Sequence, residues 1–275
     1  MKKLIAHALR RNRLLALGLC CAGVAAAPFA AAQSEAVMRY MQPPAPIAQI
    51  LDAAPTPAIM ISRDRQTLAL LGRSDLPPVA DLAKPILRLA GYRINPELNG
   101  PSDGRVQWLN ALAFQDVNTG VVREVALPRG LRYLYPQFSP DGAMLAFAAE
   151  AEGRLELWVA SRASGEARRL SDLPLNAAFG APYRWTSDSA ALIVNAIPAG
   201  RGPAPVAAAA AAGPLVQEND GRVAPVRTFQ DLLQNPHDEA LFEHYFTAQV
   251  LRIDAASGAA APIGAPGLYL TVEPS

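Results

Sequence analysis

Phe138-Ser139-Pro140-Asp141-Gly142 joins two apolar runs, and this turn decides the fold. Pro140 presets its own φ, Asp141 offers a carboxylate to nearby backbone N–H groups, and Gly142 accepts positive φ, so the chain reverses here between two strands. After the turn, Met144-Leu145-Ala146-Phe147-Ala148 reads as a strand with Leu145 and Phe147 on one face. Leu155-Glu156-Leu157-Trp158-Val159-Ala160 places Leu155, Leu157 and Val159 on one side. A Ser164-Gly165 turn then leads into Ala167-Arg168-Arg169-Leu170. Strand, tight turn, strand, loop, strand, glycine turn, strand is one blade of a β-propeller.

The pattern recurs. Ile61-Ser62-Arg63-Asp64-Arg65 and Trp185-Thr186-Ser187-Asp188-Ser189 echo the first turn, and Asn118-Thr119-Gly120 and Ala256-Ser257-Gly258 echo the glycine turn. Asp141 and Asp188 are 47 residues apart, within the roughly 40–50 residues of a four-stranded blade. Asp64 and Asp141 are 77 apart, so the first repeat carries an insertion. A fourth copy starts at Val272-Glu273-Pro274-Ser275. The expectation is an all-β chain, an incomplete β-propeller of about three four-stranded blades plus one strand, with two loop or helix insertions. Closed rings need about four to eight blades, so two blade faces are expected to stay bare, and the isolated chain to be poorly soluble or to need a further segment.

The first insertion is read at about 74–102. Its prolines, among them Pro77, Pro78, Pro85 and Pro96, speak against a central strand and for a surface excursion with a short helical turn near Val79–Ala83. The second is read at about 198–244. Pro203, Pro205 and the run Ala207 to Ala212 give it a linker-like start. Thr228 to Leu233 then reads as a capped helix with Asp231 in its first turn, broken by Pro236. A second helix, capped by Asp238, runs through Tyr245 with Leu241 and Tyr245 on one face. Thr247 to Ile253 returns to strand.

Residues 1–33 read as a secretory signal peptide. Lys2, Lys3, Arg10, Arg11 and Arg13 precede the apolar stretch Leu14 to Val24, and Ala30-Ala31-Ala32 offers a cleavage site before Gln33. The expected mature domain, 34–275, holds 20 basic and 24 acidic residues, a formal charge of −4. No basic patch speaks for nucleic acid. Cys20 and Cys21 both lie in the leader, so the mature domain has no disulfide, thiolate metal site or cysteine nucleophile. The expected location is exported, periplasmic or secreted, with no membrane association after cleavage.

The candidates for chemistry are few. His237 and His244 are the histidines of the mature region. They are seven residues apart near Asp238, Glu239 and Glu243, without the i,i+4 spacing of helical zinc pairs. No Gly-x-Ser-x-Gly elbow occurs, and Gly200-Arg201-Gly202-Pro203 lacks the backbone donors of a phosphate loop. Glu150 and Glu152 flank a hairpin at Gly153 and read as solvated. Trp108, Trp158 and Trp185 read as packing residues, and Arg201, Arg222 and Arg227 as loop charge that could face a ligand. No catalytic, metal-binding or cofactor-binding residue is assigned, and no cofactor is expected.

Five strings in order carry a resemblance: Tyr40-Met41-Gln42-Pro43-Pro44, Ile50-Leu51-Asp52-Ala53-Ala54-Pro55, Ser74-Asp75-Leu76-Pro77-Pro78, Leu89-Ala90-Gly91-Tyr92-Arg93-Ile94 and Arg227-Thr228-Phe229-Gln230-Asp231-Leu232-Leu233. Over residues 40–275 the chain resembles the N-terminal part of glutamyl endopeptidase-like serine peptidases of the prolyl oligopeptidase family. The resemblance implies a propeller covering a C-terminal α/β-hydrolase domain with a Ser-Asp-His triad, cleaving after acidic residues. No position here matches that triad, and the hydrolase domain is expected to be absent. The resulting expectation is a non-catalytic propeller segment, not an enzyme by itself, that gates or docks peptides for a hydrolase segment. The alternative is a stand-alone periplasmic binding or scaffold protein assembled from several copies.

Overall fold

The computed structural model describes residues 43–74, 77–102, 104, 106–207, 221 and 231–274. The leader at 1–33, Arg222, Arg227 and Thr228 lie outside the described residues. The chain divides into two compact units, Met1–Leu51 and Asp52–Ser275. Described in the first is α1 (Ala45–Leu51), which buries none of its side chains.

In the second unit β1 (Ala58–Ile61) turns into β2 (Thr67–Arg73). The chain leaves this sheet through α2 (Val79–Leu82), β3 (Leu87–Leu89), β4 (Tyr92–Asn95) and β5 (Gly100–Pro101), and returns as β6 (Leu109–Asp116) and β7 (Val122–Glu124). The pairing β1–β2–β6–β7 is antiparallel throughout. Next come β8 (Tyr133–Phe138), β9 (Met144–Ala151), β10 (Arg154–Ser161) and β11 (Ala167–Ser171), paired antiparallel in chain order. Then β12 (Tyr183–Trp185) and β13 (Ala191–Ala196) are followed by α3 (Pro236–Phe246), β14 (Thr247–Asp254) and β15 (Ala260–Pro262), paired β12–β13–β14–β15. A short β16 (Gly267–Leu268) pairs with the start of β14. The described architecture is therefore all-β and antiparallel, with three four-stranded repeats. The pair Leu109 of β6 with Tyr133 of β8 links the first two.

The same turn chemistry joins the first two strands of each repeat. Ser139 Oγ donates to Asp141 Oδ1 at 2.5 Å and accepts from the Met144 N–H at 3.0 Å, while Asp141 Oδ1 accepts from the Ala143 N–H at 3.0 Å. Ser62 and Asp64 repeat this with Thr67 and Gln66. Thr186 and Asp188 repeat it with Ala191 and Ala190. The residue after each aspartate has positive φ: Arg65 at 58°, Gly142 at 70° and Ser189 at 61°. The turn thus needs a hydroxyl, an acid two residues on and a left-handed residue next; glycine relieves the strain only in the middle copy.

Strand alternation sends the two faces of the second repeat into different cores. Ala69, Leu71, Leu112 and Phe114 of the first repeat pack with Leu145, Phe147, Ala149 and Ala160 of the second. The opposite face of the second, with Ala146, Ala148, Leu155, Leu157 and Val159, packs with Trp185, Leu192, Val194, Leu251 and Ile253 of the third. The face shared by Leu155, Leu157 and Val159, legible in the sequence, is the inter-sheet one.

Both insertions depart from one place, the connection between the second and third strands of a repeat. In the middle repeat that connection is the tight turn at Glu152-Gly153, both at positive φ. Two expectations need correction. The first insertion is more than a surface excursion: β3–β4–β5 form a small sheet that buries Leu89, Ile94 and Asn95. Pro101 is tolerated because β5 is an edge strand. In the second insertion Asp231 is not helical, with φ at 59°. Pro236 opens α3 instead of breaking a helix: it follows the cap Asn235, whose side chain accepts from the Asp238 N–H at 3.0 Å. Asp238, expected as the cap, instead accepts from the Gln234 N–H at 2.9 Å. Proline at the first helical position loses no hydrogen bond, which is why it starts this helix.

Candidate functional site

The two insertions, far apart in sequence, meet. Leu89, Ile94 and Tyr92 of the first pack with Leu241, Phe242, Tyr245 and Phe246 of α3 and with Ala178 and Phe179. Tyr92 meets Phe179 and Phe246 edge-on, with centroids 5.3 and 5.2 Å apart. Leu241 and Tyr245 do share a face, the packed one. Beneath the aromatics lies a buried polar knot. Asn99 Nδ2 donates to Asn176 Oδ1 at 2.8 Å and to the Tyr245 carbonyl at 3.0 Å. Asn176 Nδ2 donates to the carbonyls of Tyr245 and Thr247 at 3.0 and 2.8 Å. Arg201 donates to Asn99 Oδ1 and lies 5.6 Å from the Tyr245 ring centroid. Arg93 pairs with Asp231 at 3.0 Å. Arg201, read as loop charge, thus braces the two insertions against each other.

Burial first, then the Arg201 charge, holds the His244 pKa below its ordinary value, so the imidazole is neutral near pH 7. His237 lies in the first turn of the same helix. Ser62 and Ser139 each meet an aspartate, but as turn donors whose hydroxyls are engaged with backbone.

At the base of the first insertion is a cleft of about 490 Å³ lined by Ser74, Pro78, Asp81, Gln107, Trp108 and Arg132, among others. Arg132 lies over Trp108, 4.2 Å from the ring centroid, and is ion-paired with Asp81 and Glu150. Lys84 adds contacts to Asp81 at 3.1 Å and Glu150 at 3.7 Å. Burial raises the Asp81 pKa, but the bonds and charges of Lys84 and Arg132 outweigh it and hold the carboxyl below its ordinary value. Glu150 is therefore not simply solvated as its hairpin position suggests, whereas Glu152 is 86% exposed. Trp108 bridges cleft and core; Trp158 and Trp185 serve the inter-sheet cores. Sequence reading missed Asp81, Asn99, Arg132 and Asn176. Only the Asp81/Lys84 spacing carried a local signal; the other partners lie 18 to 146 residues away. Chemically, cleft and insertions form a braced, charge-paired surface.

The chain is homologous to one part of the glutamyl endopeptidases. It is 37% identical over 257 residues to a protein of Oryza sativa subsp. japonica named "Probable glutamyl endopeptidase, chloroplastic", covering 88% of this chain and 27% of that one. It is 34% identical over 250 residues to the protein of the same name from Arabidopsis thaliana, covering 86% and 26%. The chain thus spans about a quarter of the length of the curated relatives it matches. No family model matches it. Among solved structures it is similar to Pyrococcus horikoshii acylaminoacyl peptidase, at 13% identity and TM-score 0.35 over 77% of this chain and 25% of that one. It is also similar to TolB from Acinetobacter baumannii, at 18% identity and TM-score 0.32 over 81% and 46%. Likenesses this distant carry no functional weight. Among the described residues no helix is long and apolar enough to cross a membrane.

Proposed function

We propose that this chain is the non-catalytic propeller portion of an exported serine endopeptidase of the glutamyl endopeptidase type, its three repeats being blades. Its role is to dock and gate peptides for a hydrolase segment outside these residues. The observation that carries this reading is the homology itself, which takes in nearly all of this chain but only 27% of the rice relative. The insertions support it: two connections at one end of the strands are enlarged and braced together, while the equivalent turn of the middle repeat stays tight.

The test is a reconstitution. The purified chain is assayed on glutamyl peptides alone and with the part of the rice relative outside the matched residues. The expected result is no turnover above a mock purification for the chain alone, and peptide cleavage by the mixture that exceeds cleavage by the rice segment. Turnover by the chain alone, or a mixture no better than the rice segment, refutes the reading.

A further inference from the structure

Asn99-Gly100 is the one place in the chain where an asparagine precedes a glycine. Such a pair is chemically labile. The glycine nitrogen carries no side chain beside it to hinder attack on the neighbouring amide carbon, and the glycine backbone turns freely enough to reach it. The fold nevertheless calls for both residues. Asn99 stands at φ 48°, a left-handed conformation that asparagine tolerates better than most side chains. At Gly100 a Cβ would lie 2.9 Å from Leu155 Cδ1, so even alanine must displace a fully buried side chain of the second repeat. The same fold restrains the reactive amide. Asn99 is almost fully buried. Its Nδ2 spends both hydrogens, on Asn176 Oδ1 at 2.8 Å and on the Tyr245 carbonyl at 3.0 Å, while its Oδ1 accepts from Arg201. Two of these anchors, Arg201 and Tyr245, belong to the second insertion or the helix that closes it.

We infer that Asn99 is a deamidation site, protected while the two insertions are closed on each other, whose modification leaves them loosened. In the opened chain the Gly100 backbone nitrogen, giving up its proton, attacks Asn99 Cγ. The Cγ–Nδ2 bond breaks and Nδ2 departs as ammonia, leaving a five-membered imide. Water then opens the ring at one of its two carbonyl carbons, giving aspartate or isoaspartate at position 99. Neither step needs an oxidant, a reductant or a second protein. In the closed chain the amide cannot swing onto Gly100 without giving up three buried hydrogen bonds, which are costly to leave unmade. Ring closure therefore runs through a local opening in which α3 and the first insertion separate. The product cannot rebuild the knot. A carboxylate has no hydrogen for Asn176 Oδ1 or the Tyr245 carbonyl and sets a charge against both acceptors; only the Arg201 contact survives. The change is one-way, so it accumulates with the time the insertions spend open.

The test is peptide mapping by mass spectrometry of the purified chain held in mildly alkaline buffer, following amide-to-acid conversion at position 99. Conversion is expected to be at least about tenfold slower in the folded chain than in urea. Asn176→Ala, which removes one anchor, should speed it several-fold. Arg93→Ala, which loses only the ion pair to Asp231 between the insertions and spares the knot, should speed it in a gentler form. Gly258→Ala, which strains the packing of the second sheet on the third, should leave the rate within about twofold of wild type, because the opening is local. Equal rates folded and in urea, no acceleration by either Asn176→Ala or Arg93→Ala, or an equal acceleration by Gly258→Ala overturns the protection by the insertions; no conversion in urea overturns the site itself. Asn99→Asp stands in for the product and should melt lower and be cut earlier in the insertions by limited proteolysis. Wild-type melting and cutting by that variant would overturn the loosening.

Discussion

Asn99 and Asn176 face each other at 2.8 Å, one in the first insertion and the other just ahead of the third repeat, and both donate to the carbonyl of Tyr245. Each is almost fully buried, at 1% and 5% exposure. Two amides thus close the end of α3 onto two distant parts of the chain.

Asn176→Ala leaves the Thr247 carbonyl and the Ala178 N–H without their side-chain partner, and takes one of two side-chain donors from the Tyr245 carbonyl. Each buried orphan costs about 1–3 kcal/mol, so the variant is expected to lose at least ~2 kcal/mol. Limited proteolysis should then cut the second insertion first, because its anchor is what has gone. An unchanged denaturation midpoint would show that the knot does not hold the insertions.

Two glycines with similar φ should respond very differently to alanine. Gly91, φ 85°, sits in the two-residue hairpin between β3 and β4 with open space where a Cβ would stand. Gly91→Ala meets only backbone strain, about 1–2 kcal/mol. Gly258, φ 76°, would place its Cβ 2.2 Å from the Leu170 carbonyl oxygen. Gly258→Ala must add a shift of the second sheet against the third, bringing the loss to about 3 kcal/mol or more. Urea denaturation of the pair tests the ordering.

The repeat turns make the fold acid-sensitive. The bond from the Ser62 hydroxyl, then the Gln66 N–H, and after these Arg162 hold the Asp64 carboxyl at about 2. Asp116, Asp141, Asp188 and Asp254 are lowered by like turn bonds. A carboxylate depressed below its unfolded value of about 3.9 contributes stability that is complete above that value and lost as pH falls toward the folded one. Melting temperature should drop between about pH 4 and pH 2. Asp64→Asn should melt lower at pH 7 and show a shallower acid limb.

Glu156 is 2% exposed, with Oε1 accepting from Arg154 Nη2 at 2.8 Å and from Arg169 Nη1 at 3.4 Å. Removing both arginines by Arg154→Ala and Arg169→Ala strands a buried charge and should cost about 3–5 kcal/mol. Glu156→Leu removes the charge itself and should be near neutral or stabilising. A Glu156→Leu variant that loses as much as the double arginine variant would contradict this expectation.

The turn at Ser139-Pro140-Asp141-Gly142, its two echoes and the glycine turns are legible because each is a local device: a hydroxyl, an acid two residues on, and a residue able to take positive φ, all within six residues. From these come the all-β class, the repeat spacing and the place of the first insertion; prolines and the alanine run mark the second. Thr228 to Leu233 reads as a helix in which Asp231 takes part, because periodicity cannot see that Asp231 is claimed by Arg93. Pro236 reads as a breaker because a cap differs from a break only in the backbone of the residue before it. That the insertions close on each other and that Arg132 is held between Asp81 and Glu150 were decided by tertiary structure. Those relationships join groups tens of residues apart, and nothing in local sequence fixes which distant surface comes to lie on which. A turn carries its own hydrogen bonds; a packed face acquires meaning only from what covers it.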